Sequence, residues 1–203
     1  IRSDTDTAKR ATEKKIPILG KNKAWGSDLM DVTHPAWLSF VVDDIAAKAI
    51  ERGFDGFFLD TLDSAALLAE GNAEKAAKCQ TALIQLISAL RSRFPSARIV
   101  LNRGFELLDQ VSTSVNGVLI ESIYQTFDAK TGRHHPVSSD GSAWLEAKVR
   151  KVQSLGLPVY AVDYVLPTDL RLANKTAAKL SALGCVPFIT TPALDGTLIA
   201  PLR

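Results

Sequence analysis

The segment Gly53-Phe54-Asp55-Gly56-Phe57-Phe58-Leu59-Asp60 contains a glycine, then a short apolar run, then a carboxylate. A glycine that follows a helical pattern supplies the left-handed residue that ends many helices. The apolar run over residues 56–59 does not alternate with polar residues, which is typical of a strand covered on both faces. The segment therefore predicts a helix-to-strand joint that leads into a buried strand.

The same pattern recurs along the chain. Further apolar runs, each predicted to be a parallel strand, cover residues 16–19, 99–101, 117–120, 158–162 and 186–190. Helical patterns with one apolar face cover residues 38–52, 73–94, 143–155 and 170–183. Alternating strands and helices with short joints predict an α/β domain with a parallel sheet, either open or closed into a barrel.

Length and composition fit one globular domain over residues 1–203. Hydrophobic residues make up 46% of the chain and charged residues 23%, which excludes a disordered or coiled-coil protein. A formal charge of +2 argues against a nucleic-acid partner. No apolar run approaches the ~20 residues that cross a bilayer. Cys79 and Cys185 are expected to be free, packed thiols.

Several common chemistries lack their motifs. The sequence has no dinucleotide-binding or phosphate-binding glycine pattern, and no nucleophile elbow with a central serine. His34 stands alone, and His134-His135 lies in a predicted polar loop over residues 128–141, so the spacing of a metal site is missing. We therefore expect no metal and no cofactor.

Polar side chains follow the predicted strands. In a closed barrel of parallel strands, these strand ends point into one cleft. Carboxylates, amides and aromatic rings together suit a polyhydroxylated ligand, since the first two bind hydroxyls and the rings stack on sugar faces. The residues are Asn22, Asp60, Asp63, Asn102, Arg103, Glu121, Tyr124, Gln125, Asp163, Tyr164, Thr190 and Thr191.

Asp60 and Glu121 are the candidate catalytic pair. Each ends an apolar run, where a charge is costly unless it is paired or functional. Glycoside hydrolysis requires two such carboxyl groups, one to protonate the leaving oxygen and one to act as nucleophile or base. The alternatives are that Asp60 caps a helix over residues 64–70 and that Glu121 forms a salt bridge with Arg103.

The other candidates are expected to bind substrate. Asp63 is either a helix cap or a ligand-binding residue, and Asp163 is either functional or a partner of Arg103 or of a lysine. Arg103 itself could keep one carboxylate ionised. Rings that follow strands are expected to be sugar platforms, and rings in helical patterns are expected to pack internally. The first group is Trp25, Tyr124 and Tyr164, and the second is Trp37 and Trp144.

These motifs resemble a known family. The segment Trp25-Gly26-Ser27-Asp28-Leu29-Met30-Asp31-Val32, the pair Pro35-x-Trp37 and the stretch from Gly53 to Asp63 are similar to the endo-α-1,4-polygalactosaminidases of glycoside hydrolase family 114. They resemble still more the PelA-type hydrolase domains of glycoside hydrolase family 166. Asn102-Arg103-Gly104-Phe105 and the stretch from Gly117 to Ser122 extend the resemblance.

The resemblance implies a (β/α)8 barrel, secreted or periplasmic, that cuts an exopolysaccharide of biofilms containing α-1,4-linked galactosamine. Asp60 and Glu121 would be its acidic pair, the amino-sugar polymer its partner, and the chain is expected to be a monomer. The chain departs from the family because two earlier βα units are missing. We therefore expect that Ile1 is not the native start.

Two other functions stay open at this stage. A catalytically inactive barrel could hold the polysaccharide in the same cleft without cutting it. An isomerase or aldolase would need a base or a Schiff-base lysine at a strand end, where Lys21 is the one nearby lysine. The discriminating observation is the release of new reducing ends from the polymer.

Overall fold

The computed structural model describes residues 5–23, 26–63, 69 and 71–199. The chain forms two compact units. Unit 1 consists of Ile1–Ile99 and Glu106–Val115, and unit 2 consists of Val100–Phe105 and Asn116–Arg203. Within the described ranges, no helix combines the length and the hydropathy that a bilayer crossing requires.

Unit 1 combines helices with a short antiparallel hairpin. The start of α2 is set by Pro35 at its first position and by His34, whose Nδ1 accepts a hydrogen bond from the Ala36 backbone N–H at 3.3 Å. The elements in chain order are α1 (Asp6–Glu13), β1 (Ile18–Asn22), β2 (Ser27–Met30), α2 (Pro35–Ser39), a π-helical segment (Phe40–Ala46), α3 (Ala47–Glu51), β3 (Gly56–Leu59), α4 (Ala73–Arg93), α5 (Leu108–Val111) and a 3-10 turn (Ser112–Ser114).

The first predicted strand differs from the expectation. Residues 16–19 do not join a parallel sheet, because β1 pairs antiparallel with β2. Ile18 is 52% exposed, so the part of the apolar run that forms β1 lies on an open hairpin and not inside a sheet. Asn22 pairs with Ser27 within this hairpin and does not end a parallel strand. The core beneath consists of Ala11, Ile16, Met30 and Phe40, with Trp37 packed against it.

Unit 2 carries most of the sheet and two long helices. Ser138 caps the first helix by accepting a hydrogen bond from the Gly141 backbone N–H at 3.1 Å. This cap explains why the helix starts four residues earlier than predicted. The elements are β4 (Arg98–Asn102, shared with unit 1), β5 (Gly117–Glu121), β6 (Gln125–Phe127), β7 (His134–Pro136), α6 (Ser139–Ser154), β8 (Val159–Tyr164), α7 (Leu170–Ala182) and β9 (Val186–Thr190).

The parallel sheet is the framework of the domain. Its strand order is β3-β4-β5-β8-β9, and β4–β5, β5–β8 and β8–β9 are parallel pairs. The register places Glu121 opposite Val162 and Tyr164 opposite Thr190. The predicted α/β class with a parallel sheet is therefore confirmed, and closure into an eight-stranded barrel stays a prediction.

The two cysteines are buried and free, as predicted. Cys79 lies in α4 of unit 1, and Cys185 precedes β9 in unit 2. Burial raises the pKa of the Cys185 thiol to about 11, with the nearby Asp163 charge adding to the effect. Because the thiolate is the reactive form, burial and the raised pKa lower the reactivity of Cys185 at neutral pH.

Candidate active site

Glu121 stands at the carboxyl end of β5, where two neighbouring strands reach its side chain. Its carboxylate oxygen Oε2 accepts a hydrogen bond from the Tyr164 hydroxyl at 3.0 Å. The other oxygen, Oε1, accepts one from Asn102 Nδ2 at 3.4 Å. Tyr164 ends β8 and Asn102 ends β4, so three adjacent strand ends converge on one half-buried carboxylate.

Tyr164 keeps its proton at neutral pH and therefore acts as a hydrogen-bond donor. Burial of its ring and the adjacent charge of Glu121 raise the pKa of Tyr164 well above its usual value. Glu121 is consequently held between a hydroxyl donor and an amide donor. Such donors fix the direction of a carboxylate and stabilise its negative charge.

Arg103 is close to Glu121 but contacts its main chain. The guanidinium donates a hydrogen bond to the Glu121 backbone carbonyl at 3.0 Å. The expected alternative, a salt bridge between the Glu121 carboxylate and Arg103, is therefore not the arrangement in the structure. Arg103 instead braces the end of β5, and the carboxylate keeps its contacts with Asn102 and Tyr164.

Strained backbone follows three strands of the sheet. Thr61 (φ 57°), Arg103 (φ 56°) and Ser122 (φ 59°) are non-glycine residues in the left-handed region. They follow β3 by two residues and β4 and β5 by one residue. Residues of this kind cost free energy and cluster at functional sites. The turn residues are ordinary Thr, Arg and Ser, so the sequence carries no signal for this strain.

Asp163 is fully buried and holds the loop that follows Glu121. Its Oδ1 accepts a hydrogen bond from the Ile123 backbone N–H, and its Oδ2 accepts bonds from those of Tyr124 and Gln125, each at 2.7 Å. Burial raises the pKa of the Asp163 carboxyl, while these donors and Lys179 oppose the shift. The partners of Asp163 are thus main-chain amides and not Arg103.

The expectation that Tyr124 and Tyr164 stack on sugar rings is wrong, because both side chains are buried. Tyr124 and Tyr164 are 7% and 3% exposed. Lys179 Nζ lies 3.6 Å from the Tyr124 ring centroid, and the Tyr124 hydroxyl donates to Glu146 at 3.0 Å. Tyr124 and Gln125 line a groove of about 500 Å³ beside α6 and α7, and Glu121 is not among its lining residues.

The other predicted carboxylates lie in unit 1. Asp60 and Asp63 are exposed beyond the end of β3. Asp60 Oδ1 accepts a hydrogen bond from the Thr61 backbone N–H at 2.7 Å. The helix that Asp60 or Asp63 was expected to cap, over residues 64–70, lies outside the described residues except Ala69, and so does Trp25. Asp60 is therefore an accessible carboxylate at a strand end.

The end of β9 contributes a structural threonine. Thr190 is fully buried, and its hydroxyl donates to the Thr197 backbone carbonyl at 2.6 Å. Thr191 follows it in a turn, where its hydroxyl accepts a 3.4 Å hydrogen bond from the Ala193 backbone N–H. Thr190 thus secures the segment after β9.

Comparison with known families decides the identity. The model of glycoside hydrolase family 114 matches residues 2–202. The chain belongs to glycoside hydrolase family 114. A comparison with curated protein sequences finds no significant match.

Solved structures agree with this assignment. The glycoside hydrolase domain of PelA from Pseudomonas aeruginosa is 32% identical to the family 114 chain, with a TM-score of 0.83. That match covers 97% of this chain and 76% of the PelA domain. Ega3 from Aspergillus fumigatus in complex with galactosamine is 14% identical and has a TM-score of 0.58. It covers 96% of this chain and 72% of Ega3, and it shows a shared fold.

One aromatic residue of the family 114 chain was missed by sequence reasoning. Trp144 was expected to pack inside the domain, but its side chain is 52% exposed on α6. Its position in a helical pattern suggested packing, since most large apolar side chains on such faces are buried. The helical periodicity could have shown that Trp144 is exposed, because the neighbouring Leu145 lies on the buried face of α6.

Proposed function

We propose that the chain is an endo-acting glycoside hydrolase that cleaves an exopolysaccharide containing α-1,4-linked galactosamine or N-acetylgalactosamine. The observation that carries the proposal is the half-buried Glu121 carboxylate, held by Asn102 and Tyr164 at a strand end in a family 114 chain. The motif resemblance to PelA-type hydrolase domains and the fold shared with Ega3, which was solved with galactosamine, support the choice of an amino-sugar polymer. A polymer of this kind implies a secreted or periplasmic enzyme.

In this mechanism Glu121 and Asp60 act as the carboxyl pair. One of them protonates the glycosidic oxygen, and the other attacks the anomeric carbon or activates a water molecule. Tyr164 and Asn102 hold the Glu121 carboxylate in one orientation, so that it meets the reacting bond without reorganising. Asp63, Asn102, Arg103, Gln125 and Trp25 are proposed to bind the hydroxyls and rings of the sugar polymer.

Asp163 has a positioning role in the proposal. Its three bonds to the main chain of Ile123, Tyr124 and Gln125 anchor the loop that leaves β5 directly after Glu121 and Ser122. A fixed loop keeps the strand end rigid, and a displacement of about 1 Å at a catalytic group can cost ~100-fold in rate. Asp163 is therefore proposed to affect catalysis by positioning Glu121.

The test is hydrolysis by variants of the carboxyl pair. Asp60→Asn and Glu121→Gln each remove an ionisable group with little change in shape, and we expect each to lower kcat by at least ~1000-fold. The measurement is reducing-end release from an α-1,4-linked galactosamine polymer. Asp43→Asn and Glu51→Gln, both at exposed helical positions of unit 1, are the matched controls and should retain wild-type rates.

The outcomes of this test are distinct. Full activity of either Asp60→Asn or Glu121→Gln would remove that residue from the catalytic pair. Binding of the polymer without any reducing-end release by the wild-type chain would establish instead a polysaccharide-binding barrel.

A further inference from the structure

An exposed aromatic corner lies in unit 2, next to the residues that hold Glu121. Trp144 on α6 and Phe105 after β4 have ring centroids 5.8 Å apart and planes at 84°. Trp144 is 52% exposed. Lys148, one helical turn further along α6, places Nζ 5.2 Å from the Trp144 centroid and 5.6 Å from that of Phe105.

The segments that carry Phe105 and Trp144 each have a defined local structure. Arg103 and Gly104 both have left-handed φ values, 56° and 63°, so two consecutive left-handed residues form the turn from Asn102 to Phe105. On the other side, the Ser142 hydroxyl donates to the Ile123 backbone carbonyl at 2.7 Å. That bond ties the first turn of α6 to the loop after Glu121.

The position of the corner links it to the carboxylate. Phe105 comes three residues after Asn102, whose amide donates to Glu121. Single exposed apolar residues are common on protein surfaces and need no explanation. Here, however, a second ring supports Trp144 edge-to-face, and such pairs are held more firmly than lone side chains. The part of the Trp144 indole that Phe105 and Lys148 leave exposed is suited to the apolar C–H face of a pyranose ring.

We propose that Trp144, supported by Phe105, forms an outlying sugar subsite for an uncharged, N-acetylated pyranose of the polymer. The proposal rests on the proposed function and adds a second point of contact beyond the carboxyl pair. Lys148 gives the subsite its selectivity. Its ammonium group lies over both rings and repels a protonated amino sugar, whereas an acetylated unit carries no charge.

The experiment measures binding in the Glu121→Gln background, where the ligand stays intact. The probes are the α-1,4-linked hexasaccharide of N-acetylgalactosamine and its fully deacetylated counterpart, titrated by calorimetry. We expect Trp144→Ala to weaken binding of the acetylated probe roughly tenfold, and Trp144→Phe to retain most of the affinity. Lys148→Gln should strengthen binding of the deacetylated probe about threefold and leave the acetylated probe within twofold.

Phe54→Ala is the matched control, because Phe54 is 64% exposed and lies in unit 1. It should bind both probes as the parent does. In the active background, Trp144→Ala should raise KM for the polymer and leave kcat unchanged.

Equal affinity of Trp144→Ala and its parent, or no measurable binding of either probe by the parent, would overturn the subsite. The proposed function fails separately, if the wild-type chain releases no reducing ends.

Discussion

At the scale of single residues, Asp163 and Glu121 depend on each other through a short stretch of main chain. The Asp163 carboxylate is the acceptor for three backbone N–H groups in a region that excludes water. A buried donor that loses its acceptor costs about 1–3 kcal/mol. The substitution Asp163→Asn leaves one acceptor oxygen and introduces an NH2 group that faces N–H donors.

We therefore expect Asp163→Asn to lower the free energy of unfolding by about 2 kcal/mol and to reduce kcat at least tenfold while KM stays within twofold. Urea denaturation and polymer hydrolysis measure the two effects. Asp169→Ala is the control, because Asp169 caps α7 by accepting from the Leu172 N–H and alanine cannot accept that bond. That variant should lose stability and keep kcat. An unchanged kcat in folded Asp163→Asn protein would contradict the positioning role.

At the scale of secondary-structure elements, the turn after β5 stores strain at Ser122. Its φ of 59° is unfavourable for side chains branched at Cβ. We expect Ser122→Val to lower the free energy of unfolding by about 1–3 kcal/mol. Ser122→Gly should be nearly neutral, because relief of strain is offset by greater freedom of the unfolded chain. Equal urea midpoints for the two variants would show that the turn is not strained.

The contact between α1 and the π-helical segment depends on charge. Asp44 accepts ion-pair contacts from Lys14 at 3.0 Å and Arg10 at 3.5 Å. The Lys14 hydrogen bond and the nearby positive charges lower the pKa of Asp44, against a smaller opposing effect of desolvation. A carboxyl group with a lowered folded-state pKa adds stability above its unfolded pKa, near 3.8, and loses it as the pH falls through the folded value.

Asp44→Asn should therefore lower the melting temperature by about 1–3 °C at pH 7, the range of a partly exposed ion pair. The difference should shrink as the pH falls towards 2, because the wild-type carboxyl becomes protonated as the pH passes its lowered folded-state pKa. Differential scanning calorimetry at both pH values makes the comparison. A difference that is undiminished at pH 2 would mean that packing, and not charge, explains the effect.

At the scale of the whole molecule, the sequence predicts strands and helices correctly where the apolar pattern and the burial of the residues agree. The runs that became β3, β4, β5, β8 and β9 are apolar without alternation. The predicted helices agree with α4, α6 and α7 to within four residues, whereas the one predicted over residues 38–52 consists of part of α2, a π-helical segment and α3. The run at residues 16–19 is similarly apolar, yet Ile18 and Leu19 lie exposed in an antiparallel hairpin and Ile16 packs into the core of unit 1. The composition of a strand does not determine which other strand it pairs with.

The candidate site was predictable in its residue types but not in its contacts. Glu121 was identified because a charge that ends an apolar run is costly. Tyr164 donates to the Glu121 carboxylate, whereas Asp163 accepts from main-chain amides. These different roles of two adjacent residues of β8 could not be predicted from the sequence. Such contacts depend on the register between β5 and β8, which pairs Glu121 with Val162. That register cannot be predicted from the residues of the two strands alone.

The central claim is that this family 114 chain cuts inside an amino-sugar polymer with Glu121 in the reacting pair. The most direct measurement is the chain-length distribution of an α-1,4-linked galactosamine polymer over time, followed by mass spectrometry for the wild-type chain and Glu121→Gln. We expect the wild-type chain to produce oligosaccharides of intermediate length from the start, and Glu121→Gln to leave the polymer intact. An unchanged polymer with the wild-type chain, or equal cleavage by the variant, would contradict the account.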